Sequence, residues 1–290
     1  MTFHGTDADR GTYRILNASP DGDSVRFYPD DPQAFARAGL AVQPNTRGGV
    51  QLRLEGIDAL ETHFTTPRGH IRWHQPAELG AAASTALLTA LGFSDVVRDE
   101  NLRVTAADPD QVPGYIPTRF ADKYGRAVAF AFAGARPGPH PDDDQVFLDT
   151  EELAASVNHH LLTTGLVYPT FYSKLFPDLR AELAAAARTA GAGVWAQDVT
   201  TTGFTLAGRD QLMDEVVLLP KLFRRLAEYL ATGDDVDLGR FSEFLQAHGD
   251  ELFTVPAGHA THLDTLVEVT DQFLRLTVEP ENIIFRDKNS

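Results

Sequence analysis

Apolar residues return along this chain at two different spacings. Tyr13 to Leu16 and Val25 to Tyr28 alternate as strands on either side of an Asp21-Gly22 turn. Val50 to Ile57 reads as a third strand, with Leu52 and Leu54 on one face and Arg53 on the other. Between them, Pro29 to Gly49 is rich in Pro, Gly and Asp and reads as a lengthened hairpin loop. The spacing then becomes helical. From Pro76 to Leu91, residues Leu79, Ala83, Ala86, Leu87, Ala90 and Leu91 share one face, with proline in the first turn and Gly92 past the end. Leu102 to Thr105 and Ala127 to Phe132 supply two more strands, while Ala106 to Phe120 and Gly134 to Gln145 read as long Pro/Gly/Asp insertions. Asp149 and Glu152 form a capping box for a helix carrying Leu153, Val157 and Leu161, and Leu179 to Ala190 is a third helix. The expected class is α+β, a five-stranded barrel-like sheet with about three helices.

Past residue 198 the pattern changes again. Thr200 to Gly203 reads as a linker. Pro220 to Leu230 predicts an amphipathic helix through Leu222, Phe223, Leu226, Tyr229 and Leu230, and Leu238, Phe241, Phe244 and Leu245 predict another. Leu263 to Leu276 is open between helix and strand, and Asn282 to Phe285 suggests a short terminal strand. The chain therefore divides into residues 11 to 198 and a mainly helical extension, 199 to 290, that reads as an extra layer on the barrel or a small helical domain, with a partner-binding or autoinhibitory element as the alternative.

With 290 residues, 43% of them hydrophobic, the chain can bury a sizeable core. It has no cysteine, which excludes disulfides and thiolate metal sites. The start lacks the basic and apolar regions of a signal peptide, and no run approaches the ~20 apolar residues that span a bilayer. A soluble, cytoplasmic protein without a membrane partner is expected. Lys and Arg total 25 against 41 Asp and Glu, a net charge of −16 shared evenly between the parts before and after residue 198. Neither part supplies the broad positive field that drives tight binding to long duplexes. Any nucleic-acid substrate should therefore be short or single-stranded and bound in a salt-sensitive way.

Candidate chemistry lies in three segments: Asp21-Gly22-Asp23-Ser24-Val25, Arg53-Leu54-Glu55-Gly56-Ile57-Asp58-Ala59-Leu60-Glu61, and Asp122-Lys123-Tyr124-Gly125-Arg126. Together they hold what phosphodiester hydrolysis needs: carboxylates for a hard divalent cation, a carboxylate to deprotonate water, and guanidinium groups for the charge on phosphorus. In this order the segments resemble the staphylococcal nuclease-like (thermonuclease) family. The resemblance implies that Asp23, Asp58 and the Ala59 carbonyl bind Ca2+, with Mg2+ or Mn2+ as substitutes. It implies Glu61 as general base and Arg53 and Arg126 as phosphate-binding catalytic arginines. Val157-Asn158 through Gly165-Leu166 and Gly193-Val194-Trp195 resemble further family segments, so the likeness covers roughly residues 11 to 198. Ala59 replaces a threonine of some members, and Leu60 the usual proline. The implied fold is an oligonucleotide/oligosaccharide-binding (OB) barrel with helices. The implied reaction is cleavage of DNA or RNA to leave 3′-phosphates.

Lys123 and Tyr124, inside the third motif, and Tyr172 and Tyr168, after Gly165-Leu166, are the candidate substrate contacts. Tyr115 is a candidate for packing or base stacking. His63, His70 and His74, beside Trp73, follow no zinc spacing and read as loop imidazoles or phosphate contacts. Asp142-Asp143-Asp144 reads as an acidic loop, with a second metal site as the alternative. Two other functions stay open: a noncatalytic nucleic-acid or protein-binding module on the same fold, and a partner-regulated effector.

Overall fold

The protein is described by a computed structural model over residues 2–3, 10–67, 71–135, 146–233 and 236–287. It is a mixed α+β chain with eight α-helices among the described residues, where the sequence predicts about three to its barrel. Two compact units emerge, and neither is continuous in sequence. One comprises Met1–Glu55, Ser84–Leu161 and Phe176–Glu182; the other comprises Gly56–Ala83, Leu162–Leu175 and Leu183–Ser290.

The first unit is built on a seven-stranded sheet. Its strands are β1 (Arg10–Tyr13), β2 (Arg26–Pro29), β3 (Val50–Leu54), β4 (Val112–Tyr115), β5 (Thr118–Ala121), β6 (Ala127–Ala129) and β7 (Phe132–Ala133), ordered β5-β6-β3-β2-β1-β4-β7. Only β6 and β3 run parallel. Alternation in β3 matches the sequence pattern, since Val50, Leu52 and Leu54 are buried while Gln51 and Arg53 are half-buried. The sheet must curl, and chain connectivity shows why. β6 and β7 stand five places apart in the hydrogen-bonded order, about 24 Å in a flat sheet, yet Ala129 and Phe132 are three residues apart, at most about 10 Å of chain. The result is a strongly curled half-barrel. Gly11 and Gly114, paired across β1 and β4, permit the bend. A Cβ at Gly11 would lie 2.1 Å from the Tyr28 carbonyl, and one at Gly114 2.2 Å from the Tyr13 ring. The Tyr13 hydroxyl lies 3.2 Å from the carbonyls of both Tyr115 and Phe132, tying β1 to β4 and β7.

Strand assignment corrects the sequence reading in two places. β4 and β5 lie in the stretch read as an insertion, and prolines at 113 and 117 hide their alternation. The strand predicted over Leu102 to Thr105 does not join the barrel: the observed strand starts at Val104, runs to Asp108 into the stretch read as an insertion, and forms a separate hairpin with Ser94–Arg98. The Pro29 to Gly49 loop contains a one-turn helix, Ala34–Arg37, that buries Phe35. Helix Ala77–Leu91 is as predicted. Helix Thr150–Ala154 is capped by Asp149, whose side chain accepts from the Glu152 amide at 2.8 Å. The helix predicted over 179 to 190 spans Pro177–Thr189.

The second unit is mixed, and so is the 199 to 290 segment within it, where the sequence predicts a mainly helical extension. Helices Arg209–Asp214, Pro220–Leu230 and Phe241–His248 accompany a four-stranded sheet ordered Phe171–Tyr172, Ile283–Phe285, Glu251–Thr254 and His259–His262. A three-stranded sheet orders Phe204–Thr205, Phe273–Leu276 and Val267–Thr270. In the ambiguous 263 to 276 segment, Leu263–Thr265 forms a short 3-10 turn and Val267–Thr270 pairs with Phe273–Leu276 as a hairpin, with Asp271 at φ +54 in the two-residue turn. Leu60, Trp73, Leu222, Phe223, Leu226, Leu230 and Phe241 belong to one buried cluster. Among the described residues no helix is long and apolar enough to cross a membrane.

Candidate functional site

Each unit carries part of the predicted site. In the first, the Asp21-Gly22 turn is pinned by the Ser24 hydroxyl, which donates to Asp21 at 2.6 Å, and Gln51 Nε2 donates to that hydroxyl at 3.2 Å. The Leu54 amide donates to the Asp23 carbonyl at 2.8 Å, so Asp23 lies against the end of β3. Its carboxylate is ion-paired with Arg53, projecting from that strand. The buried Asn158 side chain fixes the strand end, donating to the carbonyls of Glu55 and Ala129 at 2.9 and 3.3 Å and accepting from Ala131 N at 3.0 Å. Asn158 therefore positions the segment that carries Arg53.

Arg126 sits at the turn joining β5 and β6. Asp122 Oδ1 accepts from the amides of Tyr124 and Arg126, both at 2.9 Å, and Oδ2 accepts from Arg126 Nε at 2.7 Å. Gly125 takes φ +77, a region that favours glycine, and closes the turn. Tyr124 is 66% exposed, and the Lys123 ammonium lies 4.9 Å from its ring centroid. An exposed aromatic face flanked by cations suits a stacked base beside a phosphate.

In the second unit, Asp58 ends the two-residue strand Ile57–Asp58, which pairs with Tyr168–Pro169. Its side chain is 1% exposed, and both of its oxygens are taken by one guanidinium: Arg224 Nη1 at 3.2 Å and Nη2 at 2.7 Å. The same Nη1 donates to Glu61 Oε1 at 2.5 Å. Two carboxylates thus share one cation. Burial lowers the Arg224 pKa, but the charges of Asp58 and Glu61 outweigh it and hold the group well above its ordinary range. Gln75 orders this arrangement from beneath. Its Oε1 accepts from the Glu61 amide at 3.2 Å, its amide donates to the Glu61 carbonyl at 2.8 Å, and Nε2 donates to Leu218 O at 2.8 Å. The loop bearing Glu61 is thereby tied to the approach of helix Pro220–Leu230, which carries Arg224. Ala59 is buried beside Asp58.

The two tyrosines differ. Tyr168 is fully buried in the unit's core, and its hydroxyl donates to Asp198 Oδ1 at 2.6 Å. Tyr172 is half-buried, 5.9 Å from the Phe285 ring, and close enough to Arg224 to act on its charge. Tyr115 stacks on Phe132 with centroids 4.6 Å apart, a packing role. Trp73 is a core residue, and burial, then the Arg72 charge, lowers the His63 pKa. His70 and Asp142-Asp143-Asp144 lie outside the described residues. Among the described residues, no three His, Asp or Glu side chains gather as a metal-holding group. Asp23 and Asp58, the carboxylates assigned to metal, each pair with a guanidinium within their own unit.

Arg224 and Gln75 are additions that the sequence does not announce. Arg224 stands 166 positions from Asp58, on the polar face of a helix where an arginine ordinarily meets solvent. Compared with known proteins, the chain matches no family model and no curated protein.

Proposed function

We propose that the protein is a metal-dependent phosphodiesterase of staphylococcal nuclease type, acting on short or single-stranded DNA or RNA, with the curled half-barrel as its OB fold. The observation that carries this reading is the convergence of Asp58 and Glu61 on a single cationic group. Two acidic side chains that share one cation at hydrogen-bond distance are a cation-seeking pair. Their hard oxygens, with the Ala59 carbonyl next in the chain, suit Ca2+. The resemblance adds Asp23 to the metal-binding set. A bound divalent cation would supply charge neutralisation and polarisation of the phosphate.

The chain's own residues account for the rest. Glu61 takes a proton from water, the hydroxide attacks phosphorus, and the bond from phosphorus to the 5′-oxygen breaks; the departing oxygen takes a proton from a solvent water and Glu61 returns its own to solvent, leaving a 3′-phosphate and a 5′-hydroxyl. The bond to Arg224 occupies Glu61 Oε1 and its charge lowers the basicity of the carboxylate, so Glu61 is a better proton acceptor once Arg224 has moved away. Arg53 and Arg126 carry planar forks suited to phosphate oxygens. Tyr124 and Lys123 offer a base and phosphate platform that remains exposed despite the acidic net charge. The Arg224 contact also favours the alternative of a regulated effector that is silent alone.

Glu61→Gln tests the assignment. General-base catalysis is worth ~10²–10⁴-fold, so turnover should fall by that amount while oligonucleotide affinity stays within a few fold. Unchanged turnover in the purified variant would show that another group is the base.

A further inference from the structure

We infer that Arg224 is a built-in competitor of the divalent cation, closing the Asp58–Glu61 pair until calcium displaces its guanidinium; this rests on the metal-site reading above. Three observations converge. The guanidinium engages both Asp58 oxygens and one Glu61 oxygen, so those acceptors cannot turn to a metal while it stays. It brings a positive charge to carboxylates that would otherwise face each other, one of them buried. And its backbone is anchored. Leu222, Phe223, Leu226, Ala227 and Leu230 of the same helix are buried in the core.

The rest of that helix's charge is committed elsewhere. Lys221 Nζ lies 3.2 Å from Asp250, and Arg225 pairs with Asp250 at 2.5 Å and with Glu228 at 2.7 Å. Arg224 differs in pairing with the residues assigned to metal and base. Since the helix is held by its apolar face, opening the site means swinging one side chain, which retains 22% exposure. Apparent calcium affinity then falls by the fraction of molecules in which the side chain has swung away. A protein or nucleic-acid phosphate that draws the guanidinium out would raise it.

The test is calcium binding by the full chain, read by isothermal titration calorimetry and by the calcium dependence of thermal unfolding. Removing the guanidinium in Arg224→Gln is expected to tighten calcium binding by about tenfold or more. Without calcium that variant should melt earlier than wild type, and calcium should restore it. A variant that folds only with calcium would display the same result in stronger form. The added binding must disappear in Arg224→Gln/Asp58→Asn. Equal calcium affinity in wild type and Arg224→Gln overturns the competition but leaves the metal site standing; tighter binding that survives loss of Asp58 overturns both, because the calcium is then held elsewhere. Absence of calcium binding and of thermal rescue in both proteins removes the metal-site reading, and the inference with it.

Discussion

Asp58→Asn isolates the buried ion pair without changing side-chain volume. In the native protein both Asp58 oxygens accept from Arg224, at 3.2 and 2.7 Å. Asparagine keeps one acceptor but turns an NH2 group toward the second guanidinium nitrogen, donor against donor. Of its two charged partners among the described residues, Arg224 then retains Glu61. Removing one member of a buried pair costs about 3–5 kcal/mol. Because Arg224 keeps 22% exposure, solvent offsets part of the loss and the lower end, about 3 kcal/mol, is expected. That is a large share of the ~5–15 kcal/mol that holds a typical domain together. The assay is urea denaturation of the full chain at neutral pH, followed by probes in both units, since two units need not unfold together. A double-mutant cycle with Arg224→Gln should show the singles failing to add, with a coupling of about 1–3 kcal/mol, because glutamine leaves no stranded cation. A loss under about 0.5 kcal/mol, the level of an ordinary surface change, or strictly additive singles would refute the buried pair.

Two further outcomes follow from the same geometry. Arg53→Lys and Arg126→Lys keep the charge but lose the planar fork, so each should forfeit most cleavage activity in a steady-state assay; a lysine variant equal to wild type would make that arginine structural. Burial raises the Asp250 carboxyl pKa, but hydrogen bonds from Arg225 and the charges of Lys221 and Arg225 outweigh it and hold the group well below the usual carboxylate range. A depressed folded pKa stabilises above the unfolded value of about 3.9 and is lost as pH falls below it, so the stability gap between wild type and Asp250→Asn should be full at pH 7 and shrink under acid. A gap independent of pH across that window would refute the ionised pair.

Local rules made much of this molecule legible. The Asp149 cap, helix Ala77–Leu91 and the alternation of β3 are set by neighbours a few positions away, and sequence shows such signals directly. Strands β4 and β5 were hidden because Pro113 and Pro117 interrupt their pattern, and their place in the sheet comes from pairing with residues about 100 and about 10 positions distant. Leu102, apparently a strand residue, is a turn residue at φ +61, and the apolar count around it could not show that. The site divides in the same way. Asp23, Arg53, Asp58, Glu61 and Arg126 sit at motif spacings. Arg224 reaches Asp58 only through the folding of the second unit, and the helical periodicity that predicts its helix puts it among polar, outward residues.

The central claim is that these carboxylates serve phosphodiester hydrolysis. Its most direct test is incubation of a labelled single-stranded oligonucleotide with purified full-length protein over rising calcium, with a chelator control and identification of the product ends. The account predicts calcium-dependent products bearing 3′-phosphates, absent with chelator and strongly reduced in Glu61→Gln. An oligonucleotide left intact at every calcium concentration, by wild type and by Arg224→Gln alike, would contradict it.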